Sequence, residues 1–239
     1  LTDAEIMLEI SGLESGYGAS AVLHGVDLAV RRGTVTALMG RNGMGKTTLL
    51  RTLMGYLPAR RGDIRFDGAE IARLPSFRIA RAGLGYVPQG REVFDDFTVE
   101  ENLRLSLLGH PGGPRAVPGR IYDWFPILAE RRAQKAGTFS GGQQQMLAIA
   151  RALAAEPRML LLDEPTEGIQ PSIVHEIAET LARIVADTGL TVLVVEQNVD
   201  MVTTLAETCA FMEGGAIAEV CPVARLESDP ALVARYLSL

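Results

Sequence analysis

Eight residues constrain this chain more than any other stretch: Gly40-Arg41-Asn42-Gly43-Met44-Gly45-Lys46-Thr47. They follow an apolar run, Val35 to Met39, that reads as a buried strand cut off at Gly40. They precede a helical pattern from Lys46 to Met54 that Gly55 closes. In a strand–loop–helix setting, Gly-x-x-x-x-Gly-Lys-Thr lets backbone N–H groups converge on an anion where Cβ atoms would obstruct them. The following helix points its positive dipole end at the same place. Lys46 then reaches the β- and γ-phosphates of a nucleotide, the Thr47 hydroxyl is placed to ligate Mg²⁺, and Thr48 completes the phosphate-facing turn. A glycine-rich turn that happens to hold a lysine is the bland alternative. It fits poorly, because the context is right and Lys46 is one of only two lysines among 23 basic residues.

A second apolar run, Met159-Leu160-Leu161-Leu162, ends in Asp163-Glu164. An acid at the C-terminal end of such a strand can hold Mg²⁺ directly or through water, which is the role expected of Asp163. Glu164 would then face the γ-phosphate, where it can orient and deprotonate an attacking water. Two solvated acids at a strand end are common in isolation; beside a phosphate loop they read as functional.

These runs also set the fold class. Thr191 to Val195 is a third continuous apolar run, and between it and the second, Ile173, Ile177, Leu181, Ile184 and Val185 recur at helical spacing behind Pro171. Strand, helix, strand is a βαβ unit, so the chain reads as α/β with a partly parallel sheet. Val22-Leu23, Val26, Leu28 and Val30 read as a further strand. Residues 98–153 differ, reading as three helical segments without a strand and interrupted by the Gly/Pro-rich stretch Gly109 to Gly119. We therefore expect a helical insertion over 90–155 within an α/β core formed by 1–89 and 156–239.

Composition bears on what remains. The 239 residues are 47% hydrophobic and 5% aromatic, enough for a core and too few rings for a nucleobase-stacking surface. No apolar run approaches the roughly 18–20 residues of a membrane span. The acidic start, with Asp3, Glu5 and Glu9, leads us to expect no signal peptide. Cys209 and Cys221 offer neither a disulfide framework nor metal-ligand spacing, which suits a reducing cytoplasm. Residues 159–239 hold 3 arginines against 13 acids, so nucleic acid is not expected as a partner there.

A phosphate loop alone leaves kinases, GTPases, helicases and transport ATPases open. Phe139-Ser140-Gly141-Gly142-Gln143-Gln144, leading into a helix through Met146, Leu147, Ile149, Ala150 and Leu153, narrows the choice. It resembles the signature sequence of ABC-type ATPases, with the phosphate loop, Gln89 and acid pair in that family's order over essentially the whole chain. Ser140, Gly141, Gly142 and Gln143 would form a second helix-N-terminal anion site, although Ser-Gly-Gly also serves as a plain helix cap.

The resemblance implies a P-loop ATPase core with a mixed sheet and an inserted helical subdomain carrying the signature. It implies ATP and Mg²⁺ as ligands, with ATP held between the phosphate loop of one subunit and the signature of another in a head-to-tail dimer. It implies that Tyr17 stacks on adenine, although a tyrosine beside Gly18 can equally be a packing residue. It makes Gln89, after Tyr86-Val87-Pro88, the glutamine that senses Mg²⁺ and links the core to the helical insertion. The loop Arg91 to Phe97 either receives a membrane subunit's cytoplasmic helix or packs locally.

Two positions depart from the common pattern. Gln197, in Val194-Val195-Glu196-Gln197-Asn198, stands where the family usually places a histidine on the γ-phosphate; an amide can hydrogen-bond there but carries no charge. Gln170 stands where many members have aspartate. Both departures resemble the ATPases of importers for branched-chain amino acids, urea and short amides, whose two ATPase subunits commonly differ. We expect a paralogous ATPase partner, a homodimer remaining open, together with transmembrane permease subunits and a solute-binding protein. The expected location is the cytoplasmic face of a bacterial membrane. The runs Thr166 to Pro171 and Pro88 to Glu92 look closer to the urea-type members. A poorly hydrolysing regulatory subunit and a soluble non-transport ATPase stay as alternatives.

Overall fold

The computed structural model describes residues 5–108 and 116–237; Asp3 and most of the Gly109–Gly119 stretch lie outside them. A hairpin of two long strands opens the chain, β1 (Ile6–Tyr17) and β2 (Ser20–Arg31). Then come β3 (Val35–Met39) and α1 (Lys46–Leu53), as the apolar run and helical pattern predict. Next, β4 (Arg61–Phe66) pairs with β1 and carries β5 (Ala69–Glu70) on its far edge. These strands make a four-stranded antiparallel sheet ordered β2-β1-β4-β5.

From α2 (Ser76–Arg81) the chain enters β6 (Leu84–Val87), followed by α3 (Val99–Leu105), α4 (Gly119–Trp124), α5 (Pro126–Glu130), a 3₁₀ turn at Ala136–Thr138, and α6 (Gly141–Ala154). Then β7 (Met159–Asp163), α7 (Pro171–Thr188) and β8 (Thr191–Val195) supply the expected βαβ unit, with β7 and β8 adjacent and parallel. The chain finishes with α8 (Val199–Leu205), β9 (Thr208–Glu213), β10 (Ala216–Pro222), α9 (Ala224–Ser228) and α10 (Pro230–Leu237). The second sheet runs β10-β9-β3-β8-β7-β6, parallel except for β10, and is therefore mixed. Cys209 and Cys221 sit opposite one another on β9 and β10 as buried free thiols.

The helical stretch corrects one expectation: in place of three segments, its described residues form four α-helices and the 3₁₀ turn. The cause is local. Pro126 bars its predecessor from helical backbone, so Phe125 turns out to φ −127°, ψ 75° and separates α4 from α5.

Continuous apolar runs became central strands because the mixed sheet is covered on both faces. Every residue of β3, β7 and β8 is buried, and alternate side chains enter different cores. Ala37, Leu160, Leu162, Val192 and Val194 join α6 and α7 in one core. Leu38, Met159, Leu161, Leu193 and Val195 join Leu49, Leu50 and Leu53 of α1 and the antiparallel sheet in the other. At about 1.5–3 kcal/mol per buried aliphatic side chain, these two layers hold the strand ends that present the candidate site residues. Period-two parity also aims Asp163: it shares a face with Leu161, the face that α1 covers.

Gly40 ends β3 at φ +146°, and a Cβ there would lie 2.4 Å from the Met212 carbonyl oxygen on β9. Backbone cannot yield that far. Gly40→Ala is expected to lower stability by about 3 kcal/mol or more, read as a drop in the urea midpoint. An unchanged midpoint would show that β9 is not packed against the loop as described.

Candidate active site

The phosphate loop curls around a cavity of about 320 Å³ lined by Asn42, Gly43, Gly45, Lys46, Thr47, Thr48, Gln89, Glu164 and Glu167, with Val22 of β2 at its wall. Lys46 is 4% exposed. Its Nζ donates to the carbonyls of Gly40 (2.6 Å) and Arg41 (3.0 Å) and lies 3.8 Å from Glu164 Oε1. Burial pushes its ammonium pKa below the ordinary range, against the pull of Glu164 and Asp163. A desolvated cation at the N-terminal end of α1 is a strong attractor for a polyphosphate.

Asp163, 1% exposed, accepts from Thr47 Oγ1 at 3.0 Å on one oxygen and from the Tyr86 hydroxyl at 3.1 Å on the other. Burial raises its pKa, while those two hydrogen bonds pull it down. The Tyr86 hydroxyl is itself pushed up by burial and by the carboxylate it faces. Thr47, Gln89 and Asp163 also line a neighbouring cavity of about 440 Å³. Hydroxyl, carboxylate and amide oxygens are hard donors that suit Mg²⁺, which keeps several waters and takes few protein ligands. Among the described residues no cluster of three His, Cys, Asp or Glu offers an alternative metal cage.

Glu164 leaves the strand in a left-handed conformation, φ 46°, with its N–H bonded to the Val195 carbonyl at 2.9 Å. This backbone costs about 1 kcal/mol or more for a residue with a Cβ. It breaks the strand alternation, so Glu164 faces the phosphate cavity. Oε1 of Glu164 accepts from Gln197 Nε2 at 3.0 Å, and the same amide nitrogen donates to Asn42 Oδ1 at 2.8 Å. Gln197 thus stands between the phosphate loop and the acid, where its NH₂ group orients the carboxylate. Gln89 approaches Glu164 from the other side, with Nε2 3.3 Å from Oε2.

Two acids escaped the reading of the sequence. Glu167 accepts from Gln89 Nε2 at 2.9 Å. Glu196, 3% exposed, accepts from the N–H groups of Thr166 (3.0 Å), Gln197 (2.8 Å) and Asn198 (3.0 Å) and from the Thr166 hydroxyl. It pins the loop after β7 to the loop after β8, setting the separation of Glu164 and Gln197. A carboxylate directly after the apolar run of β8 was the available signal.

Other expected residues lie apart. Arg41 and Met44 reach outward, to the Arg235 carbonyl and the Gly214 N–H respectively. Tyr17 is 44% exposed at the tip of the β1–β2 hairpin and does not line the phosphate cavity. Ser140 to Gln143 do not line it either. Ser140 forms a reciprocal cap on α6, its Oγ accepting from Gln143 N at 3.4 Å and its N–H donating to Gln143 Oε1 at 3.1 Å. Gly142 is required by close packing, since a Cβ would lie 2.5 Å from Ile173 on α7. Within one chain, the phosphate loop and the Ser140–Gln143 segment do not share a cavity.

The family described as "ABC transporter" matches residues 23–167. The chain is 40% identical over 97% of its length, and 99% of the relative's, to the high-affinity branched-chain amino acid transport ATP-binding protein BraG of Pseudomonas aeruginosa. It is 36% identical, over 89% of its length and 90% of the relative's, to the probable branched-chain amino acid transport ATP-binding protein LivF of Archaeoglobus fulgidus. Among solved structures, a nucleotide-free ATP-binding cassette from an ABC transporter superposes with a TM-score of 0.81 at 28% identity, covering 95% of this chain and 97% of that one.

Proposed function

Because this chain belongs to the ABC transporter family, we propose that it powers an importer for branched-chain or other small hydrophobic amino acids. It is an ATP-binding, ATP-hydrolysing subunit. The observation that carries the solute class is the likeness to BraG over nearly the full length of both chains. In this reading the phosphate-loop amides, Lys46 and Thr47 hold the triphosphate, and Glu164 takes the proton of the attacking water. Gln197 keeps Glu164 aligned in place of the usual histidine. Thr47, Asp163 and Gln89 would hold Mg²⁺, which when bound offsets charge on the phosphate oxygens. Ser140 to Gln143 of a second, paralogous chain would close over the same nucleotide, in keeping with their place outside the phosphate cavity of their own chain. The division into a core (1–89 and 156–239) and a signature-bearing subdomain (90–155) belongs to the same proposal.

ATP-binding subunits of importers work with permease subunits, and no helix among the described residues is long and apolar enough to cross a membrane. We place the permease contact at a groove of about 540 Å³ lined by Tyr56, Tyr86, Phe94, Leu105, Ala148 and Arg151. Its exposed rings Tyr56 and Phe94, with Phe97 stacked on Phe94 at 5.5 Å, support this. So does the buried Arg151 Nη1, which has no hydrogen-bond partner among the described residues. A cytoplasmic permease helix with an acceptor oxygen fits both features. A solute-binding protein completes the assembly. A second reading, urea or a short amide as solute, is favoured by the run Thr166-Glu167-Gly168-Ile169-Gln170-Pro171.

Uptake by cells lacking this chain tests both readings. Labelled leucine uptake should fall at least about tenfold with urea uptake unchanged, and the reverse result would move the solute to urea. Restoring the Phe94→Asp variant should leave the chain in the soluble fraction and uptake unrecovered, since a charge in an apolar groove opposes docking.

A further inference from the structure

We infer that Glu167 is a positioning residue for Gln89, deciding which end of its amide faces the phosphates; this rests on the Mg²⁺-ATP reading above. An amide has a donor end and an acceptor end of nearly equal shape, so its orientation is set by its partners. Gln89 Nε2 donates to Glu167 Oε2 at 2.9 Å and to Glu164 Oε2 at 3.3 Å. Ionised carboxylates only accept, so the NH₂ end is held between them and Oε1 is the end left for the cavity that Gln89 shares with Thr47 and Asp163. That is the orientation a cation requires, because an NH₂ group turned inward would oppose it. Of the two bonds the one to Glu167 is shorter, and Glu164 is committed to the attacking water.

Glu167 is itself anchored. Its N–H bonds to the Glu164 carbonyl at 3.2 Å, and its own carbonyl accepts from Arg91 Nη2 at 3.4 Å. Arg91 in turn packs on the start of the signature helix, where a Cβ on Gly141 would lie 2.8 Å from its guanidinium. The amide that faces the phosphates is thereby tied through Glu167 to the signature of the same chain. The Glu167 side chain is exposed, so its truncation should leave the fold intact.

The test uses the purified full chain with its partner subunits and a non-hydrolysable ATP analogue, reading the Mg²⁺ needed for half-maximal analogue retention beside steady-state turnover. Outer partners of a metal ligand typically change affinity or activity by about 10–100-fold, so Glu167→Ala should raise the Mg²⁺ requirement about tenfold and lower kcat comparably, with KM for ATP within about twofold. Glu167→Gln keeps an acceptor oxygen and should restore both to within about threefold. Gln89→Ala combined with Glu167→Ala should be no worse than Gln89→Ala alone. Additive losses, or a Glu167→Gln variant as impaired as Glu167→Ala, would overturn the inference. Analogue retention by the unmodified chain that ignores Mg²⁺ would instead overturn the Mg²⁺-ATP reading, so the two failures are distinguishable.

Discussion

Glu164→Gln should lower ATP turnover by about 10²–10⁴-fold, the range that a positioned general base supplies, while ATP still binds and dimers accumulate. The geometry separates the two effects. ATP binding depends on the phosphate loop and on Lys46, whose Nζ is held by the Gly40 and Arg41 carbonyls at 2.6 and 3.0 Å and does not rely on Glu164. A glutamine keeps the shape, and its oxygen can still accept from Gln197, which reaches Glu164 at 3.0 Å. It cannot accept the proton. Phosphate release and size-exclusion chromatography with ATP read the two halves independently. Unchanged hydrolysis would remove Glu164 from its role. Failure to bind ATP would show that its ion pair with Lys46, at 3.8 Å, maintains the loop. In the assembly with a paralogue, the acid pairs should be disabled one at a time. Full activity with Glu164→Gln confined to this chain would make it a regulatory subunit, as the uncharged Gln197 allows.

The parts of this site that were legible in the sequence share one property: they are encoded by contiguous residues. The phosphate loop, the acid pair and the runs of β3, β7 and β8 are each a single short segment whose neighbours dictate its conformation. The antiparallel sheet was harder to see, because β1 carries register shifts around Gly12 and Leu13 that break the alternation a strand normally writes. The α4–α5 break depends on one proline. Glu167 was not legible as a site residue, because its partner Gln89 is 78 residues away; Glu196 was signalled by its place directly after the run of β8, but its bond to Thr166, 30 residues away, was not. Only the packing of β7 against β8 and β6 brings those loops together, and no local pattern records it.

Lys46→Met should separate binding from stability in the opposite sense. Burial lowers the pKa of Lys46, so the unfolded chain holds its proton more tightly than the folded one. By linkage, the charged lysine works against folding at neutral pH, and stability rises from this group only as pH climbs through the folded value toward the unfolded one. Replacing it with methionine removes that opposing contribution but also leaves the Gly40 and Arg41 carbonyls without their donor, so the two effects offset and the nucleotide-free melting temperature should move by only a few degrees. ATP at about 100 times Kd should stabilise the natural chain by about 2.7 kcal/mol, roughly 5–10 °C at this size, and the variant should show no such shift. Lys46→Arg should lose both properties. The slot is 4% exposed and closed by two carbonyls, and a planar guanidinium cannot replace a compact ammonium there without opening the loop. Thermal melts with and without ATP decide it. An arginine variant that melts normally and still responds to ATP would show that the loop needs only a positive charge, whereas failure of both responses ties binding to the shape of the ammonium in its carbonyl seat.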